Sequence, residues 1–187
     1  MELVDHRAEA LPPSVDRVVL PGGFSHGDAL RAGALAARSP IMTAVAAHAR
    51  AGGFVLGICN GFQILCEAGL LPGALLVNAS GRFVARDVRV VIEPKSPLAA
   101  YFERPLRLPI AHGAGRYVPG TTSESADRAP AFRYDRADDS NPGWTGIAGV
   151  LGRPRANVLG LMPHPERTEA DGRLFFEAIL RYDRERP

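Results

Sequence analysis

Gly53-Phe54-Val55-Leu56-Gly57-Ile58-Cys59-Asn60-Gly61-Phe62-Gln63-Ile64-Leu65 changes its period halfway. Phe54, Val55, Leu56 and Ile58 form a short apolar run of strand formers, whereas Phe62, Leu65, Cys66 and Gly69 recur at helical spacing. The change falls at Cys59, with Gly57 and Gly61 two residues to either side, which is the nucleophile-elbow pattern with a thiol in place of a hydroxyl. Glycine suits those positions because a strand turning at once into a helix crowds its neighbours and strains the backbone at the nucleophile. A helix N-terminus favours the thiolate, the attacking species. The competing reading is a cysteine that packs as a small hydrophobe; the flanking glycines and the change of period favour the elbow.

The 187 residues suit a single domain over 1–187 with a substantial core. A formal charge of +2, with basic residues scattered rather than clustered, gives no footprint for nucleic acid or a membrane surface. Lys95 is the only lysine. The two cysteines, Cys59 and Cys66, are spaced neither as a redox pair nor as zinc ligands, so no metal is expected and a reducing compartment is. Neither a signal-like N-terminus nor an apolar run approaching the roughly 20 residues of a membrane span is seen, which predicts a cytoplasmic protein.

Along the chain, Glu2-Leu3-Val4-Asp5 predicts a short strand and residues 15–20 a second, ended by Pro21-Gly22-Gly23. Paired glycines after a strand can aim backbone N–H groups at an anion, or simply make a turn. Asp28 predicts a helix cap before Leu30, Ala34 and Leu35, and a further helix from Pro40 turns Ile41, Val45 and Ala49 inward. His26 reads as a solvated loop residue and His48 as a helix-surface one. Strands are expected at 75–77, 82–85, 88–92, 107–110, 131–134, 147–151 and 158–162, with a surface loop over 121–130 and a turn at 138–143. His112, at a strand end among glycines, could edge a pocket or sit in a hairpin bend. A last helix from Asp171 places Leu174, Phe175, Ala178 and Ile179 against the sheet.

A cysteine nucleophile benefits from a base that accepts its proton and returns it to the leaving group. Pro163-His164-Pro165-Glu166 supplies one. Prolines on both sides favour an extended backbone, in which residues i and i+2 project to one face, so Glu166 is placed to orient the His164 ring.

The Gly57–Gln63 stretch together with Pro163-His164-Pro165-Glu166 resembles the class I glutamine amidotransferases. Leu20-Pro21-Gly22-Gly23-Phe24-Ser25, the run 64–78 and Ile110-Ala111-His112-Gly113 look, more narrowly, like the family of glutaminase subunits of phosphoribosylformylglycinamidine synthase. This resemblance covers nearly all of residues 15–180. It implies an α/β, flavodoxin-like, three-layer fold with the site at the carboxyl ends of the strands. It also implies that Cys59 attacks the side-chain amide of glutamine, with His164 as acid/base, Glu166 as its orienter, backbone N–H groups of Gly23 and Asn60 as the oxyanion site, and Gln63 beside the substrate. Ammonia would pass to a synthetase subunit, with a small accessory subunit, that uses ATP and Mg to convert formylglycinamide ribonucleotide in purine synthesis; this chain itself would carry no cofactor.

Three features depart from the family pattern. Its members begin with another strand and helix before the segment matching Glu2-Leu3-Val4-Asp5, so a sheet lacking its first strand and helix, with two neighbouring strands exposed, is expected. Ala114 stands where a glutamate is usual, and Asn141-Pro142-Gly143-Trp144-Thr145 replaces an Asn-Pro-Asn-Gly-Ser pattern. The rival readings are another class I glutaminase or cysteine hydrolase, and a truncated, inactive docking subunit.

Overall fold

The computed structural model describes residues 1–120, 130–135, 146–152 and 155–186. In chain order its elements are β1 (Arg17–Leu20), α1 (Ile41–Arg50), β2 (Phe54–Ile58), α2 (Asn60–Glu67), β3 (Ala74–Leu76), β4 (Val84–Ile92), β5 (Leu106–His112), β6 (Arg116–Val118), β7 (Pro130–Tyr134), β8 (Ile147–Gly152), β9 (Val158–Leu161) and α3 (Ala170–Glu185). Seven strands form one mixed sheet in the order β1-β2-β9-β8-β7-β4-β5, and β3 pairs with β6 in a small second ladder. The pairings β1–β2 and β2–β9 are parallel; the rest of the sheet is antiparallel. Continuous apolar sequence marks the interior strands, as expected where both faces are covered: β2, β8 and β9 are buried at every residue. In β5 buried residues alternate with more exposed ones, and β4 exposes Ala85, Arg86, Asp87 and Arg89.

The sheet curls strongly. β5 lies five places from β2, about 24 Å if the sheet were flat at roughly 4.8 Å per strand, yet the Cys59 Sγ at the end of β2 is 3.8 Å from the Ala111 carbonyl in β5. His164, just past β9, likewise donates its backbone N–H to the Pro109 carbonyl at 2.8 Å. The curl brings the far edge of the sheet onto the end of its parallel part.

Several expectations are corrected. Glu2-Leu3-Val4-Asp5 forms no strand, and Leu3 is exposed. β1 is the edge strand, so one strand edge is open there rather than two, and Val19 on it is 52% exposed. Asp28 caps no helix: residues 25–28 form a tight turn in which His26, Gly27 and Asp28 all have positive φ, and Leu30 follows at φ 67°. The segments 82–85 and 88–92 belong to one strand, because the polar Arg86-Asp87 pair is its exposed stretch and not a break. In α3, Phe175, Ala178 and Ile179 are buried but Leu174 faces outward. His48 is half-buried, its ring covering Gly53 and its Nε2 enclosed. Of the expected loop at 121–130, Pro130 opens β7 and residues 121–129 lie outside the described residues, as do the turn at 138–143 and the stretch 141–145.

Candidate active site

Cys59 sits between the last residue of β2 and the first of α2 with φ 49° and ψ −103°. A non-glycine residue holds such a backbone only when its surroundings over-determine it. The surroundings here are close-packed glycines. A Cβ on Gly57 would meet Leu65 Cδ1 at 2.5 Å and the Gly61 backbone at 2.7 Å, and one on Gly61 would run into the Leu20 carbonyl. The elbow inferred from the sequence is therefore real, and its glycines are required by close approach.

Gly22 is the meeting point of the two halves of the chemistry. The place its Cβ would occupy is 2.6 Å from His164 Cε1 and 3.6 Å from Cys59 Cβ, so both side chains close over its bare backbone. Gly23, one residue on, has nothing within 4 Å of its Cβ position and is exposed. His164 is wholly buried; its Nδ1 shares a 2.6 Å hydrogen bond with Glu166 Oε1, while Nε2 is enclosed without a partner among the described residues. The carboxylate accepts at Nδ1, which fixes the hydrogen there and leaves Nε2 free to take a proton. The local backbone is not the extended chain expected: Pro165 opens a single tight turn, Pro165–Arg167, with His164 leading into it at φ −106°. The histidine and carboxylate meet all the same.

Burial is the largest influence on the Cys59 thiol and pushes it up to about 11. The Asn60 backbone N–H and Arg167 oppose the rise; Glu166 and Asp28 add to it. The helix N-terminus is thus outweighed, and at neutral pH the resting residue is a thiol that needs a base. For Glu166, burial acts to raise the carboxyl, but the hydrogen bond with His164, a backbone hydrogen bond, and the charges of His164 and Arg167 together hold it below its usual range.

Gln63 is buried, with both ends of its amide engaged: Nε2 donates to the Ala114 carbonyl at 2.7 Å and Oε1 accepts from Asn60 Nδ2 at 2.8 Å. It braces the start of α2 against the turn after β5. Sequence reading missed the residue that shapes that turn. Asn78 is buried and saturated: Nδ2 donates to the Arg82 and His112 carbonyls, both at 2.9 Å, and Oδ1 accepts from the Gly115 N–H at 2.9 Å and from His112 Nδ1 at 3.0 Å. His112 is accordingly no surface bend but a buried ring whose Nε2 has no partner among the described residues, and burial, with His164 nearby, lowers it to about 4. Tyr134, whose enclosed hydroxyl likewise has no partner among the described residues, also had no signal in its local sequence. Cys66 is plain core, its Sγ 3.7 Å from the Pro72 carbonyl. Among the described residues no cluster of side chains could hold a metal ion, and no helix is long and apolar enough to cross a membrane.

A cysteine on a strained strand-to-helix elbow, meeting a histidine–glutamate pair at the carboxyl end of a parallel sheet core, has the parts of a cysteine hydrolase: a nucleophile, a base and a group to orient the base. A family model described as CobB/CobQ-like glutamine amidotransferase domain matches residues 11–173. The subunit PurQ of phosphoribosylformylglycinamidine synthase from Novosphingobium aromaticivorans is 48% identical over 94% of this chain and 82% of its own length; that from Rhodospirillum rubrum is 47% identical over 96% and 86%. The PurLQS structure from Thermotoga maritima aligns with a TM-score of 0.80 at 44% identity, covering 91% of this chain and 81% of that one. A second glutamine amidotransferase from the same organism, at 16% identity and a TM-score of 0.53, over 90% of this chain and 72% of its own, shares the fold. The chain belongs to the glutamine amidotransferases and, among them, to the PurQ family.

Proposed function

We propose that this chain is the glutaminase subunit of a phosphoribosylformylglycinamidine synthase. It hydrolyses glutamine to glutamate and ammonia for a PurL-type synthetase in a PurLQS-type assembly that includes a small accessory subunit, as part of purine biosynthesis. The single observation that carries the reading is the meeting of Cys59 and His164 over Gly22 in a chain of the PurQ family.

Cys59 gives its proton to Nε2 of His164 as sulfur attacks the carboxamide carbon, and Glu166 stabilises the imidazolium that forms. The carbonyl oxygen takes up the negative charge facing backbone N–H groups of Gly23 and Asn60; losing one such donor typically lowers the rate about 100- to 1000-fold. His164 then returns the proton to nitrogen, the C–N bond breaks and ammonia leaves. Water, deprotonated by His164, attacks the glutamyl thioester, releases glutamate and restores the thiol. Gln63 lines the substrate pocket. ATP and Mg belong to the synthetase partner, and the setting is the cytoplasm.

Ammonia release from L-glutamine by the reconstituted complex tests this reading. Cys59→Ala is expected to abolish glutamine-dependent synthesis and to leave synthesis from free ammonium salts intact. Equal loss of both would sink the division of labour, and covalent labelling by a glutamine analogue at a residue other than Cys59 would sink the site.

A further inference from the structure

Among the described residues only two aromatic side chains are exposed, Phe24 at 71% and Phe83 at 67%, and each stands at a border of the catalytic site. Phe24 follows Gly22-Gly23, the backbone over which Cys59 and His164 close. Phe83 Cδ2 lies 3.9 Å from the place of a Cβ on Gly113, two residues beyond the Ala111 carbonyl that faces Cys59 Sγ. Val77, 59% exposed, belongs to the same patch, because the N–H of Asn78 donates to the Gly113 carbonyl at 2.9 Å. Arg116 Nε donates to the Val77 carbonyl at 3.1 Å, and the exposed Arg82 precedes Phe83. Residues 74–92 and 106–118 contain one carboxylate, Asp87, and Arg107 answers it at 3.5 Å, so the rim of the patch is positive. The patch is also stiff: Asn78 bonds the Arg82 and His112 carbonyls and the Gly115 N–H, and Gln63 holds the Ala114 carbonyl. Exposed aromatic and aliphatic side chains with arginine beside them, on backbone that needs no further ordering, are the makings of a protein interface.

We propose that Phe83 and Val77, rimmed by Arg82 and Arg116 and joined by Phe24 at the Gly22 border, form the face on which the synthetase subunit docks. The inference rests on the glutaminase reading and says which surface of this chain meets that partner. Ammonia that escapes into water is protonated and loses the lone pair with which it must attack, so the receiving subunit has to cover the site that makes it. A face elsewhere, such as the outer side of α3 with the exposed Leu174, does not border Cys59. The complementary surface is an apolar hollow for the Phe83 ring with carboxylates opposite the two arginines. Burial of the ring supplies the holding force, and the charges speed the encounter and set its register.

The test mixes the full chain with its synthetase and small accessory subunits in the presence of L-glutamine, ATP and Mg, and measures Kd by sedimentation. Phe83→Ser is expected to raise Kd about tenfold or more. Arg82→Glu is expected to raise it about threefold or more at low salt, by a factor that shrinks as salt is added. Leu174→Ser, on the outer side of α3, should leave Kd unchanged. All three side chains are exposed, so the melting temperatures of the free variants should match that of the unaltered chain. Unchanged binding by Phe83→Ser, or an equal loss in Leu174→Ser, overturns the proposal. If Phe83→Ser melts early, Arg82→Glu decides: a Kd that is unchanged at low salt overturns the proposal as well. Failure of the unaltered chain to associate refutes the partnership stated under the proposed function and this face with it, whereas association indifferent to Phe83 and Arg82 refutes the docking face alone.

Discussion

Glu166 and His164 are joined by a 2.6 Å hydrogen bond across one proline, and the far nitrogen of the histidine ring is enclosed with no partner among the described residues. The pair is therefore set to accept one proton at one atom. Glu166→Gln keeps the shape but offers an amide that can present N–H to Nδ1, which would turn the free proton position to the wrong nitrogen. The expected result is a fall in kcat of about 10²- to 10⁴-fold with little change in the melting temperature, because Glu166 is partly exposed. An unchanged kcat would remove Glu166 from the site.

Gly22→Ala tests the closure of Cys59 and His164 over bare backbone. The new methyl would stand 2.6 Å from His164 Cε1, so the ring must shift. Misplacement of a reacting group by about 1 Å can lower a rate about 100-fold, and kcat is expected to fall by that order with KM for glutamine moving less. Gly23→Ala has open space around its Cβ and should keep most of the activity. Steady-state kinetics of the two variants side by side check the contrast.

Stability should fall on the acid side through His112. Its ring is lowered from 6.5 to about 4 by burial and by His164, so the folded state holds it neutral where the unfolded chain is protonated. The contribution is present in full above about 6.5 and is lost as pH falls toward 4, amounting to about 3 kcal/mol by linkage. Urea unfolding of His112→Gln at several pH values should show a shallower acid slope than the unaltered chain, and parallel slopes would refute the assignment.

Asn78→Ala removes both donors and the acceptor that shape the turn after β5, leaving the Gly115 N–H and two carbonyls without this partner. Unsatisfied buried polar groups cost about 1–3 kcal/mol each, so a loss of about 3 kcal/mol or more is expected in denaturant unfolding. Asn78→Asp keeps the acceptor but turns a second carboxylate oxygen toward the Arg82 and His112 carbonyls, which have no proton to give, so it should lose at least as much as Asn78→Ala.

The parts of the fold and site that could be read from residues were those with local causes. Cys59 was legible because period, glycines and thiol coincide within five residues, and His164 with Glu166 because they are two positions apart. The strands β2 and β9 were legible as unbroken apolar runs. Asp28 misled because its side chain suits a helix cap while its own backbone is left-handed. β4 was split in two because its exposed polar stretch resembles a break. Asn78 escaped notice because three of its four side-chain hydrogen bonds reach residues 34 to 37 positions away, Tyr134 because nothing in its local sequence sets it apart, and the curl that unites Ala111 with Cys59 has no signature in any short window.

The contact between the Cys59 thiol and the Ala111 carbonyl joins positions 52 apart in the chain, across a sheet whose strands are not laid down in spatial order. Such non-local pairings form late, because each must overcome a large loop-closure entropy before it is rewarded. The nucleophile is thus carried on a short βα unit that can form early, but it is enclosed only when the last strands have wrapped around. During refolding the sulfur is expected to pass through a period of ordinary accessibility, so that its loss of reactivity toward a thiol reagent should report the closing of the sheet. The catalytic residue doubles as a clock for its own fold.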